Sequence, residues 1–199
     1  MPALTIRKLS DALIITDLQN DFCKGGTLEV PLADQIVEPI NKILPLFPFV
    51  VSTQDWHPPN HISFKAQGGP WPPHCVRETH GAGLHPGLNQ KEIDLRIYKG
   101  EFPDREAYSG FQETRLAHEL KKRDITRVFI VGLTTNYCVK ETAQDALKHG
   151  FTTVVLTDLI RAVNLRPEDE KHTLEKLARQ GIRLASAILF CSGTGGNPG

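Results

Sequence analysis

Apolar positions along this chain fall into short continuous runs separated by amphipathic stretches. Residues 12–16 read ALIIT, 49–52 FVVS, 127–131 RVFIV and 152–156 TTVVL. A weaker run, IDLRIY, covers 93–98, and 182–190 holds at least one more strand. Runs without polar alternation predict strands covered on both faces, hence a parallel sheet. Helical periodicity fills the gaps. Residues 32–44 follow Pro31 and put Ile36, Ile40, Ile43 and Leu44 on one face. Residues 113–123 carry Leu116, Ala117 and Leu120, and 137–149 carry Val139, Ala143, Ala146 and Leu147 ahead of Gly150. A fourth helix, 168–180, starts after Pro167 and stops at Gly181. Strand–helix alternation of this kind predicts an α/β three-layer domain. The expected unit is one domain over 1–191, with 192–199 (SGTGGNPG) as a disordered tail.

One segment has no period. Residues 57–87 hold five of the eight histidines and six of the 14 prolines. A long aperiodic stretch inside a compact domain is usually functional. Composition narrows the function classes. Lys plus Arg and Asp plus Glu are both 23, so the formal charge is zero, and no basic footprint for nucleic acid or anionic lipid is present. No apolar run reaches the roughly 18 residues of a membrane helix, and residues 1–10 carry no secretory pattern. The four cysteines lie far apart without a C-x-x-C, which predicts free thiols in a reducing compartment, the cytoplasm. The expected partner is a small molecule, with a second copy of the chain left open and neither nucleic acid nor membrane expected.

Four groups of residues carry candidate chemistry. Asp17, in DLQNDF, directly follows the first strand; ligands of parallel sheets bind outside such carboxyl ends. The plain alternative is a capped turn. Cys138, in GLTTNYCV, follows the fourth strand where a helix opens, with Thr135 or Asn136 able to cap it. A thiol at a helix N-terminus should have a lowered pKa, and the free N–H groups of that turn can hold an oxyanion. The alternative is a buried structural cysteine. Asp55 and His57 lie two apart on extended chain and face the same side, with His61 and His74 further along the loop. A carboxylate with imidazoles suits zinc or ferrous iron, although capping or surface histidines would look the same. Lys99 ends the third strand; alone it would read as a solvated charge.

Read together, IITDLQNDF (14–22), TQDWHPPNHISF (53–64), GPWPPHCV (69–76), YKG (98–100), EAYSGF (106–111) and GLTTNYCV (132–139) resemble the isochorismatase-like cysteine hydrolases, and among them the nicotinamidase/pyrazinamidase family. The resemblance spans essentially the whole chain. It implies a six-stranded parallel sheet of order 3-2-1-4-5-6 and a catalytic triad of Asp17, Lys99 and Cys138. It implies one divalent metal, zinc before iron or manganese, on Asp55, His57 and His74, with His61 as an optional further ligand. It implies a pocket of Phe22, Trp71 and Tyr108, and oxyanion amides at Thr134 and Cys138 beside a cis Leu133–Thr134 peptide. The implied reaction is hydrolysis of nicotinamide, and of pyrazinamide, through a thioester. Thr134 and Asn136 depart from the residues frequent at these positions, which keeps an N-carbamoyl or ureido amidohydrolase as the alternative enzyme. A metal-binding scaffold without catalysis is the alternative of another class. The cysteine disfavours an isochorismatase, whose vinyl-ether chemistry needs no thiol.

Overall fold

The central apolar runs become strands because their alternate residues feed two cores. The computed structural model describes residues 5–163 and 166–191; the expected tail at 192–199 lies outside the described residues. The strands are β1 (Asp11–Thr16), β2 (Val50–Asp55), β3 (Leu95–Lys99), β4 (Arg127–Leu133), β5 (Thr152–Arg161) and β6 (Arg183–Ala185). They form one sheet of order β3-β2-β1-β4-β5-β6, and every pair is parallel. Leu13, Ile15, Phe129 and Val131 pack into a core on one face, and Ala12, Ile14, Val128 and Ile130 into a core on the other. Burial on both faces explains why the runs show no polar alternation.

The helices are α1 (Val37–Ile43), α2 (Leu116–Lys121), α3 (Lys140–Lys148), α4 (Asp169–Arg179) and α5 (Ile188–Cys191). Several are shorter than the periodicity predicts, for local reasons. The expected helix 32–44 is α only from Val37. The preceding turn, Ala33–Ile36, is 3-10, because Pro39 supplies no N–H and its ring crowds the carbonyl one turn back. The helix expected from 113 begins at Leu116, since Glu113 sits in the left-handed region (φ 55°). Leu147, expected on the apolar face of α3, is exposed. The run 182–190 splits. After β6, the Asp158 carboxylate accepts from Ser186 Oγ and from the Ala187 N–H, and this cap turns the chain into α5. β5 runs five residues past its expected end, with a register irregularity opposite Ile130 and Gly132. No helix among the described residues is long and apolar enough to cross a membrane.

The sheet order reverses between β1 and β4, and the loops after β1, β2 and β4 therefore open on one edge. Gly132 permits that close approach. A Cβ there would lie 2.1 Å from the Thr16 carbonyl oxygen, and its φ of +105° excludes most side chains.

Candidate active site

Asp17 leaves the end of β1 with φ 45°, a left-handed conformation that Asp tolerates better than most residues. It is fully buried. The Thr53 hydroxyl donates to Asp17 Oδ1 at 2.6 Å, and Lys99 Nζ lies 2.9 Å from Oδ2. Lys99, the last residue of β3, reaches across β2 to that carboxylate. Its ammonium also donates to Asp55 Oδ1, to the Ala107 carbonyl at 3.1 Å and to Cys138 Sγ at 3.5 Å. Asp17, Asp55 and Cys138 each offer an atom within 4.8 Å of the other two. The three residues expected to form a triad thus converge, and the ammonium stands among two carboxylates and a thiol.

Charge pairing decides the protonation pattern. Burial alone would lower the Lys99 pKa, but Asp17 and Asp55 outweigh it and hold the ammonium protonated well above its usual range. Burial raises Asp55, yet Lys99 and His57 pull it far below the ordinary carboxylate value. Asp17 differs. Burial and the nearby Asp55 charge outweigh Lys99, and its pKa rises. The expectation that the helix N-terminus lowers the Cys138 pKa does not hold. Burial, together with Asp17 and Asp55, pushes the thiol well above its usual value against the pull of Lys99. The resting thiol is protonated beside a carboxylate with raised basicity, which suits proton transfer between them.

The turn carrying Cys138 is not the opening of an α-helix. Thr135–Val139 form one π-helical turn ahead of α3. Neither Thr135 nor Asn136 caps it. The Thr135 hydroxyl donates to Glu170 Oε1 at 3.0 Å, and Asn136 bonds Val163. The Leu133–Thr134 peptide is cis, as the resemblance implies.

Asp55, His57 and His74 are buried, and their ligand atoms lie within 4.8 Å of one another. The His57 Nδ1–H donates to the Gly100 carbonyl at 2.9 Å, and the His74 Nδ1–H to the Pro72 carbonyl at 2.8 Å. With Nδ1 tied to a carbonyl, each ring presents its Nε2 as the candidate ligand atom, and His57 Nε2 lies 3.6 Å from Asp55 Oδ2, whose charge raises the His57 pKa against the effect of burial. Two imidazoles and a carboxylate fit zinc, and iron or manganese accept the same donors. His61 is placed differently. Its Nδ1 accepts from the Ser63 N–H at 3.3 Å and its Nε2 donates to the Arg105 carbonyl at 3.0 Å. Burial and the neighbouring His57 charge lower its pKa to about 4. His61 stacks on His57 with ring centroids 4.0 Å apart, supporting that ring rather than offering a free nitrogen.

Above these groups opens a pocket walled mainly by aromatic and aliphatic side chains. Phe22, Trp71, Tyr108 and Thr134 line it with Asp55, His74 and Cys138. Trp71 Nε1 donates to the Tyr108 hydroxyl at 3.2 Å, which fixes two walls against each other. Tyr137, Leu28, Val30 and Val163 also line it and were not foreseen. Tyr137 had a signal, adjacency to Cys138, and its ring meets Trp71 at 5.3 Å and Tyr108 at 5.6 Å. The three aliphatic residues had none, since only the folded path of their loops brings them here.

This geometry, a buried Asp–Lys–Cys cluster at the switch point of a parallel sheet, defines the class of cysteine hydrolase to which the sequence motifs point. The chain belongs to the isochorismatase domain family, whose model matches residues 11–188. Within it, the chain is 39% identical to the nicotinamidase of Escherichia coli, over 87% of this chain and 93% of that one. The pyrazinamidase of Pyrococcus horikoshii, solved in complex with zinc, is 44% identical with a TM-score of 0.84, covering 89% of this chain and 99% of its own. The PnC1 protein of L. infantum, solved in complex with nicotinate, is 37% identical with a TM-score of 0.90, covering 94% and 98%.

Proposed function

We propose that this protein is a metal-containing cysteine amidohydrolase that converts nicotinamide to nicotinate and ammonia, and also accepts pyrazinamide. One observation carries the reading: Cys138, which Lys99 links to the buried Asp17, lines an aromatic pocket together with Asp55 and His74. The similarity to nicotinamidases and pyrazinamidases over nearly the full chain supports the substrate class.

Asp17 accepts the Cys138 thiol proton, and the sulfur attacks the carboxamide carbon. The backbone N–H groups of Thr134 and Cys138 hold the oxygen that becomes negative. Asp17 returns the proton to the departing nitrogen, ammonia leaves, and a thioester remains on Cys138. A water then gives its proton to Asp17 and its oxygen to the acyl carbon. Nicotinate leaves, and the proton returns to sulfur. Lys99 keeps Asp17 oriented and balances the negative charge that passes between carboxylate, thiolate and oxyanion. Phe22, Trp71, Tyr108 and Tyr137 enclose the ring and restrict water. Asp55, His57 and His74 would hold the metal, which supplies a Lewis-acid contact for the pyridine nitrogen and thereby orients the carboxamide. A cytoplasmic location fits the unpaired Cys23, Cys75 and Cys138 thiols.

Ammonia release from nicotinamide, pyrazinamide and benzamide, with metal content measured on the same preparation, tests the reading. Nicotinamide and pyrazinamide should turn over, and benzamide, lacking a ring nitrogen, should be far poorer. Equal turnover of benzamide would remove the orienting role of the metal. Absence of turnover on all three would remove the activity.

A further inference from the structure

One of the two residues expected to cap the nucleophile turn grips the wall of the pocket instead. Asn136 Nδ2 donates to the Val163 carbonyl at 2.6 Å, and Asn136 Oδ1 accepts from the Val163 N–H at 3.2 Å. Only this orientation of the amide gives each partner its complement. Val163 lies past the final ladder pair of β4 and β5, Leu133 with Arg161, so strand pairing does not hold it. It lines the pocket, as do Tyr137 and Cys138 on the turn that carries Asn136. A single carboxamide therefore ties the nucleophile turn to an aliphatic wall from the chain beyond β5.

We propose that Asn136 is a positioning residue: through its paired hydrogen bonds to Val163 it sets the ring-binding wall of the pocket, and so governs substrate affinity rather than the chemical step. This deepens the nicotinamidase reading and rests on it. The chemistry of the clamp makes a sharp demand. A carboxamide has one donor and one acceptor, matching the Val163 peptide. A leucine of the same branched shape has neither, and would leave the Val163 N–H and carbonyl unpaired.

The experiment measures KM and kcat for nicotinamide, with melting temperature, in Asn136→Leu, Asn136→Ala, Val163→Ala and the Asn136→Ala/Val163→Ala double variant. Asn136→Leu should raise KM about tenfold, at least as much as Asn136→Ala, with kcat within about threefold of wild type. A packing role predicts the reverse order, because Leu fills the space of Asn and Ala does not. Val163→Ala should raise KM by itself, and Asn136→Ala should add less than about twofold in that background. An Asn136→Leu variant with wild-type KM, a loss confined to kcat, or fully multiplicative single effects would overturn the proposal. Should Asn136→Leu fail to fold, the Ala variants and their double combination decide it. A wild-type protein that releases no ammonia from nicotinamide would instead sink the nicotinamidase reading, and this inference with it.

Discussion

Lys99→Met isolates the force that lets two carboxylates and a thiol share one buried site. Methionine keeps an unbranched stem of similar length and removes the charge together with the Nζ–H donors. Lys99 is 2% exposed, Asp17 0% and Asp55 5%, so neither carboxylate can turn to bulk water when the cation is gone. Removing one member of a buried ion pair costs about 3–5 kcal/mol, because its partner stays buried and uncompensated. In a domain of this size each kcal/mol moves Tm by about 2–4 °C, so the variant should melt about 6–20 °C below wild type. The pH dependence has a definite sign. Asp17 already has a raised pKa, and loss of Lys99 raises it further. A carboxylate that holds its proton more tightly in the folded state than in the unfolded chain loses stability as pH climbs through its folded pKa. The gap to wild type should thus be wider near about pH 8 than near about pH 5. Calorimetric melts of both chelator-treated proteins at these two pH values make the measurement. A gap under about 3 °C at the higher pH, or one that widens toward acid, would refute the argument that Lys99 neutralises the site.

Cys138→Ala should keep its fold, read by circular dichroism, and retain under about a hundredth of wild-type kcat in the ammonia assay. His74→Ala should lose bound metal by elemental analysis and raise KM for nicotinamide, while iodoacetamide labelling of Cys138 changes little; full metal occupancy in the variant would assign the ligand elsewhere. Gly100→Ala should act through His57. A Cβ at position 100, where φ is +64°, would lie 2.5 Å from His57 Cε1 and 2.7 Å from Nδ1. It would push the imidazole off the Gly100 carbonyl that orients it, and metal affinity should fall about 10- to 100-fold in a competition titration. Unchanged affinity would show that His57 is not a ligand.

The elements most legible in the chain were those set by burial. Leu13, Ile15, Phe129 and Val131 read as core strands because both faces of the sheet are covered, and that environment admits few polar residues. The residues of the proposed chemistry were legible for another reason. Asp17, Asp55 and Cys138 each stand at or just past the end of a strand, and the motifs around them are long enough to define a family. Helix lengths were less legible, because periodicity does not register what Pro39 or the left-handed Glu113 does to the backbone.

What the chain by itself determined is the parallel α/β fold, together with the candidate donors for a metal and the thiol proposed as nucleophile. What only the tertiary structure decided is how these groups modify one another. Local sequence places Cys138 at a helix entry and predicts a lowered pKa. The fold buries it against Asp17 and Asp55, and the sign reverses. Local sequence makes His61 equal to His57 and His74, yet the Ser63 N–H and the Arg105 carbonyl, 44 residues away, occupy both its nitrogens. Asn136 reads as a cap and instead holds Val163, 27 residues further on. Periodicity and motif spacing report on neighbours along the chain. Desolvation, charge coupling and competition for hydrogen-bond partners depend on distances through space, which exist only once the loops after β1, β2, β4 and β5 have closed over the same edge of the sheet.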